Sequence, residues 1–591
     1  MRIFRSGQLI LLLWLCFSLS PTSTAQYSSL FLKPEHSVLI GSDGFDYLTS
    51  LTSDSDNNVI LSGSVSYPLY YNPAGGGIPP LYEGPFYDIN RDQFVEYPVN
   101  NSKSGLHYSG GQEIPITKFN AAGELVFSTY IGGNKSEETK DIVTDMDNNI
   151  YLAGSTQSKA FLGDIYHFNN SGTQTGMIVK LNSTGEIQNM ITIGGESFDQ
   201  ITNMVLLENN SYLVLGRTNS MNFTTTGILN SQVRTNDTDI FVAKLTSSGE
   251  IIYSGVYGGS KAEDPSGLVV HNGRIYISGN TLSEDFKEVG VSQTPFPGGS
   301  DGFIMSMDLA TGELLNATRF GGTSFDVIND IAVDQNGRVV VVGTTRSLNF
   351  PITPSTPGLD TKLNSNPSDE LVTDGFYTIF DENLNLRLSS YLGGYYVDQA
   401  QVVQLDSANN IYIGGDTASA DFPIHANLTR PPAFNNEVLD QQSEATRNRD
   451  IFLTKIRPNG RIAYSIFFGN YRDDYIGDLN LVERNNNVYA RFCFYSRGID
   501  APTTADHLGG SKLVNSFYTE LLIPPGAFDL LHYPGKDTTA RDRFYLISGT
   551  LGVLGLMSYI VIRYRRKQAQ KEVHEEYQVK YDLIKEAMKK H

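Results

Sequence analysis

Seven segments of this chain place a carboxylate five residues after a glycine, and that spacing is the first candidate for chemistry. They read IGSDGFD (40–46), IGGNKSE (131–137), IGGESFD (193–199), YGGSKAE (257–263), FGGTSFD (320–326), LGGYYVD (392–398) and FGNYRDD (468–474). The acids are Asp46, Glu137, Asp199, Glu263, Asp326, Asp398 and Asp474. Glycines ahead of an acid can serve a phosphate-cradling loop, a cation site or a tight turn. A ring of such acids would suit calcium, which needs several oxygens converging at about 2.3–2.6 Å. Repeated units rotate their equivalent atoms apart, and a function usually needs one asymmetric site. Recurrence therefore favours a structural role, with the glycines permitting the bend and each acid accepting N–H groups of its own loop. No cofactor is expected on this reading; calcium is the alternative.

Other catalytic signatures are missing. The chain has no H-E-x-x-H, no P-loop, no G-x-S-x-G and no dinucleotide-binding G-x-G-x-x-G, and its histidines lack metal-ligand spacing. DSDNN (54–58) and DMDNN (145–149) resemble calcium loops only faintly and sit where hairpin turns are required. The chain is expected not to be an enzyme, with an acid pair for glycan cleavage as the open alternative.

The elements that must position these acids follow from the repeat itself. After each Gly-acid segment comes a hairpin such as DQNGRVVVVG (334–343) or DMDNNIYLAG (145–154); in the seventh copy Phe492 replaces the final glycine. Read from GFIMSMDL, each unit gives four short strands, so the Gly-acid segments fall between the second and third. Asn-Gly and Asn-Asn suit type I′ turns. Four antiparallel strands per unit imply an all-β, seven-bladed β-propeller. The chain enters near residues 36–41 without room for a first strand, and LVNSFYTELL (513–522) supplies it, so N- and C-terminal strands share a blade and remove open sheet edges.

These repeats resemble the SBBP-type β-propeller family. The likeness rests on the YGG…D/E segment, the D..NN/NG hairpin and a trailing DFP, seen as LNFPI (348–352) and ADFPI (420–424). It covers residues 38 to about 522 and implies a propeller with no single chemistry attached.

The ends and the charge bound where such a domain works. Residues 1–25 have the order of a secretory signal peptide: Arg2 and Arg5, an apolar run, then small residues. Residues 544–562 carry no charge, extend to roughly 28 Å as a helix and precede the basic RYRRK, as a membrane span would. The expected organisation is a propeller ectodomain over 26–522, a stalk over 523–543, one transmembrane helix over 544–562 and a cytoplasmic helical tail over 563–591. Net charge is −20, with +2 in the leader and +4 in the tail, so the rest carries −26. That excess repels nucleic acid.

The expected partners are a protein or glycan ligand on the propeller face bearing the long loops, and a helix packing on the tail. One such loop is dense in aromatic residues, with Tyr67, Tyr70, Tyr71, Tyr82, Phe86 and Tyr87 as binding candidates; a lid on the propeller rim is the other reading. Nine glycosylation sequons begin at Asn100, Asn134, Asn169, Asn182, Asn209, Asn222, Asn236, Asn316 and Asn427. Once the leader is removed only Cys493 remains, on a strand pattern that predicts burial. The function expected is therefore that of a single-pass type I membrane glycoprotein, at the plasma membrane or an endomembrane. Its extracellular or luminal propeller would recognise a ligand in the manner of an adhesion molecule or receptor. The alternatives are a structural subunit of a membrane complex and a propeller hydrolase or lyase acting on glycans.

Overall fold

The computed structural model describes residues 34–40, 45–66, 86–88, 93–95, 112–133, 135–161, 166–167, 172–226, 237–290, 299–353, 363, 373–419, 422–423, 449–468, 473–496 and 515–523. The proposed leader, stalk, transmembrane segment and tail lie outside these residues. Among the described residues no helix is long and apolar enough to cross a membrane.

The described strands build seven four-stranded antiparallel blades. One blade runs, from inside outward, through Asp326–Val333, Val339–Thr345, Asp374–Phe380 and Leu386–Leu392. The first strands of successive blades touch one another in a closed ring, from Phe45–Ser53 round to Asp474–Arg484 and back. They therefore line the centre. This corrects the phase read from the sequence: the Gly-acid segments are not bends within a blade. Each carries the chain from the outermost strand of one blade to the innermost strand of the next. The long insertions lie between second and third strands. In an up-and-down blade both connections emerge on one face, so the Gly-acid segments and the long insertions share it.

Burial explains the composition of each strand. Second strands such as Ile150–Thr156 and Ile411–Thr417 are buried along their whole length, because neighbouring blades cover both sides of the sheet. Such positions favour continuous β-branched and aromatic runs. Phe350 and Phe422, from the trailing DFP-type segments, are buried and lie 4.5 Å from Phe376 and Phe452 of the third strands. Gly343 leaves the room this needs, since a Cβ there would stand 2.7 Å from the Phe376 ring and 1.9 Å from the Val327 carbonyl oxygen. In the seventh blade the register puts Phe494, not Phe492, at the equivalent of that glycine: Phe494 faces Ile476 as Gly343 faces Ile328. The innermost strand there runs on to Arg484, which lengthens the hairpin and shifts the count.

All seven innermost strands carry a register shift at the same level, among them Thr139/Asp141, Ile328/Asp330 and Ile476/Asp478. Such bulges raise local twist and re-aim side chains. In three blades the residue after the bulge is an aspartate that accepts a backbone N–H from the next blade. Asp141 takes Met204 N at 2.7 Å, Asp330 takes Val403 N at 2.8 Å and Asp478 takes Leu51 N at 2.9 Å.

The ring closes as expected. Asn515–Ile523 pairs on one side with Asn487–Ser496 and on the other with Pro34–Ile40, so residues from both ends complete the seventh blade. Two short strands of the first long insertion, Phe86–Asp88 and Gln93–Val95, add to its outer edge through Val38 and Asp88. Arg491 secures the closure from inside. It is buried and donates to Glu520 Oε2 at 2.5 Å, to Ser53 Oγ at 2.6 Å and to the Asn57 carbonyl at 3.0 Å. One guanidinium thus joins the C-terminal strand to the first blade. Cys493 is buried on the same strand, as its sequence pattern predicts.

The turns are of two kinds. Type I′ needs positive φ at two successive residues, which holds at Asn272-Gly273 and Asn485-Asn486. Asn57, Asn148, Gly337 and Asn409 each supply a single left-handed residue after a type I turn instead. There the leading aspartate closes the turn: Asp145 Oδ1 accepts Asp147 N at 3.0 Å and Asn149 N at 2.8 Å, and Asp54 does the same for Asp56 and Asn58. The faintly calcium-like segments hold their own hairpins.

Candidate functional site on the long-loop face

The recurring acid begins six of the innermost strands and is the second residue of the one that starts at Phe45, and the described surroundings repeat. Asp326 accepts Gly322 N at 2.6 Å, Ser347 Oγ at 2.7 Å and the Thr345 hydroxyl. Asp199 does so with Gly195 N (2.7 Å), Thr218 Oγ1 (2.5 Å) and Ser220 Oγ (2.9 Å). Asp398 is held by Gly394 N, Thr417 and Ser419, Glu137 by Gly133 N and Thr156, and Glu263 by Gly259 N and Thr281. Glu137, Asp199, Glu263, Asp326, Asp398 and Asp474 are all buried. Burial pushes the carboxyls of Glu137, Asp199, Glu263 and Asp326 upward, opposed by the hydrogen bonds they accept. The side chain of Asp46 lies outside the described residues.

The glycines have a different reason from the one the sequence suggested. Neither Gly321 nor Gly322 has positive φ. A Cβ on Gly322 would meet Ser347 Cβ at 2.5 Å; one on Gly321 would meet Asp301 Oδ1 at 2.3 Å and Asp326 Oδ2 at 3.0 Å. They are glycines because side chains crowd them. The partners Thr345 and Ser347 stand 19 and 21 residues after the acid, a Thr-x-Ser signal visible in the sequence but meaningful only once the second strand is known to end there.

Asp301, at the head of a third strand, is a further buried acid that the sequence reading missed. Among the described residues neither of its carboxylate oxygens has a hydrogen-bond partner, and it faces Asp326 across Gly321. Burial first, and then the charge of Asp326, pushes its carboxyl up to about 7, with Arg319 opposing. Among the described residues no group of three or more His, Cys, Asp or Glu side chains is arranged to hold a metal ion.

What the face offers to solvent is different. Phe325 is 51% exposed and Leu348 81%, and Met221, Leu282 and Tyr395 are also exposed on its connections. A cleft of 420 Å³ opens beside Phe325, between the blades that begin at Asp326 and Asp398. Val327, Asn329, Thr344, Arg346 and Thr373 of the former line it together with Gln399 and Gln401 of the latter. Of the aromatic-loop candidates, Tyr67, Tyr70, Tyr71 and Tyr82 lie outside the described residues; only the backbone of Phe86 and Tyr87 is described, on the strand at the edge of the seventh blade.

Of the sequons, Asn222 is exposed and its Oδ1 accepts Glu196 N, while Asn182 is half-buried and closes a turn onto Glu186. Asn316 is half-buried, with its Oδ1 only 2.3 Å from where a Cβ on Gly290 would be. Asn209 is described for its backbone alone. Asn100, Asn134, Asn169, Asn236 and Asn427 lie outside the described residues.

Comparison with known proteins agrees with the architecture. Residues 126–161 match the family described as SBBP, beta-propeller repeat. The chain is 23% identical over 408 residues to the Regulatory protein FlaEY of Caulobacter vibrioides, an alignment covering 67% of this chain and 41% of that protein. The chain thus spans less than half the length of this relative. Among solved structures, BamB from Moraxella catarrhalis is 10% identical, with 83% of this chain and all of that chain covered at a TM-score of 0.31. The polysaccharide lyase Uly1 is likewise 10% identical, covering 82% of this chain and 99% of the other at a TM-score of 0.38.

Proposed function

Starting from a chain that carries the SBBP beta-propeller repeat within a seven-bladed propeller, we propose a recognition module whose binding surface is the long-loop face. It is displayed outside the cytosol by a single-pass type I membrane glycoprotein. One observation carries the reading: the repeated carboxylates are consumed inside the fold, while Phe325 stays exposed beside an open cleft and Leu348, Met221 and Tyr395 stay exposed on other connections of that face. Large apolar side chains left exposed on one face, one of them beside a cleft, suit a partner. The leader, the uncharged segment 544–562 and its basic flank support the membrane placement.

The test compares wild type with a Phe325→Asp, Leu348→Asp double variant. Both are solubilised from native membranes and probed by cross-linking with mass spectrometry and on a glycan array. A partner or glycan held by wild type and lost by the double variant, at unchanged melting temperature, is the expected outcome. Equal capture by both proteins, or partners lost only on deleting residues 568–591, would move the function to the tail and sink the reading.

A further inference from the structure

Three guanidinium groups lie over aromatic rings at the entry to innermost strands on the long-loop face. Arg217 is 5.3 Å from the centre of Phe198, Arg346 is 5.8 Å from Phe325 and Arg449 is 5.5 Å from Tyr475. Two of the three are neutralised. Arg217 pairs with Asp264 at 3.1 Å, and Arg449 with the buried Asp416 at 2.8 Å. Arg346 is exposed and makes no ion pair among the described residues. One residue past the recurring acid of the next blade, Asp264 follows Glu263 beside Arg217, whereas Gln399 follows Asp398 beside Arg346, which stands two residues beyond the position equivalent to Arg217. An uncharged amide stands in the Arg346 cleft where the Arg217 seam has its carboxylate.

The polar lining is specific about what it can still bond. Gln399 Oε1 already accepts from Gln401 at 3.0 Å and from Arg449 at 3.2 Å, which leaves its N–H groups to donate. Asn329 Nδ2 is committed to the Ala400 carbonyl at 2.8 Å, which leaves its Oδ1 to accept. A ligand group that both donates and accepts, such as a hydroxyl, fits that pair. The Phe325 ring offers an apolar face beside them. At 420 Å³ the cleft has the size of a small-ligand site, typically ~300–1,000 Å³.

We propose that this cleft binds a hexuronic acid unit of a saccharide. Its carboxylate pairs with Arg346, its hydroxyls bond to Gln399 and Asn329, and a C–H face packs on Phe325. Arginine suits the task because its planar fork meets a carboxylate with two parallel hydrogen bonds. The negative charge of the whole chain opposes approach only over about a Debye length, 8 Å at physiological salt. The assignment rests on the recognition reading above and names the ligand chemistry of that face.

The experiment titrates the detergent-solubilised full chain with D-glucuronate and D-galacturonate trisaccharides. Neutral glucose and galactose trisaccharides and a tripeptide with a free C-terminus serve as comparisons, followed by calorimetry and saturation-transfer NMR. The expected result is uronate binding at least tenfold tighter than neutral binding, weakened tenfold or more by Arg346→Ala and by Gln399→Glu, at unchanged melting temperature. Gln399→Glu restores a carboxylate like that of Asp264 and so blocks the site without removing the arginine. Three outcomes overturn the proposal: uronate and neutral sugars binding alike, uronate binding indifferent to both variants, or no uronate binding at millimolar concentration. Tighter binding of the tripeptide would overturn the saccharide assignment. If uronates fail while the Phe325→Asp, Leu348→Asp variant still loses its partner, recognition stands without this ligand.

Discussion

Asp326 answers to three donors at once, and replacing it leaves all three without their acceptor inside the protein. Asp326→Ala should lower stability by about 2–4 kcal/mol, the scale of a lost charged network with orphaned donors. Asp326→Asn should cost less but not be neutral, because its amide N–H₂ replaces one of two acceptors and faces either the Gly322 N–H or the Thr345 hydroxyl. Calcium should not raise the melting temperature of either protein; a calcium-dependent rise in wild type that is abolished by Asp326→Asn would overturn the structural role. Asp301 makes the opposite prediction. Its folded carboxyl is raised from 3.8 to about 7, so the fold binds its proton more tightly than the unfolded chain does. The stability cost therefore grows as pH rises from about 4 through 7 and levels off above 8. Asp301→Asn should stabilise the protein at pH 8, on the order of 1–3 kcal/mol, and by clearly less, about a third of that, at pH 5. Melting curves at the two pH values decide it: equal effects at both would show that Asp301 does not titrate in this window. The acids themselves were legible in the sequence because they recur. Their partners at 19 and 21 residues were equally present, but a Thr-x-Ser pair is common, and only topology brings it to the acid.

At the scale of strands and blades, the closure is the part most open to test. Glu520 meets Arg491 and Arg484 at 2.5 Å within the shared blade. Removing it by Glu520→Ala leaves the buried Arg491 charge uncompensated, at a cost of about 3–5 kcal/mol. Urea unfolding of the variant should show a lower midpoint; an unchanged midpoint would mean that the shared strand is held by its backbone pairing alone. Phe350→Ala should cost a similar ~3–5 kcal/mol by opening a cavity beside Phe376. Strand content, blade count and the joining of both termini were all readable from sevenfold recurrence. The phase was not, because a cyclic repeat reads equally well from any of its strands. What separates GFIMSMDL from VINDIAVD as a starting point is which strand lines the centre, and that is decided by packing between blades. The register shift in every innermost strand was invisible for the same reason: one extra residue leaves the hydrophobic pattern almost intact.

For the whole molecule, the cleft shows where reading a chain linearly ends. Phe325, Arg346, Thr373 and Gln399 are separated by 20 or more residues at each step and belong to two blades. None stands out by itself, and the absence of a carboxylate at Gln399 matters only beside an unpaired guanidinium. The proposed membrane attachment has its own test at this scale. A chain lacking residues 544–562 should be secreted and recovered soluble and folded, with the melting temperature of the propeller unchanged. Retention of that deletion variant in washed membranes would sink the single-span reading.

The shared blade also bears on timing. The N-terminal strand Pro34–Ile40 cannot find its partner Asn515–Ile523 until nearly the whole domain has been made. At translation rates of ~5–20 residues per second, the roughly 475 residues between them take on the order of 25–95 s. During that wait the innermost strand Phe45–Ser53 lacks its neighbour Asp474–Arg484, and the nascent chain presents an incomplete ring. The seam stays open until the C-terminal strand is made, and Arg491 with Glu520 then ties it to the first blade.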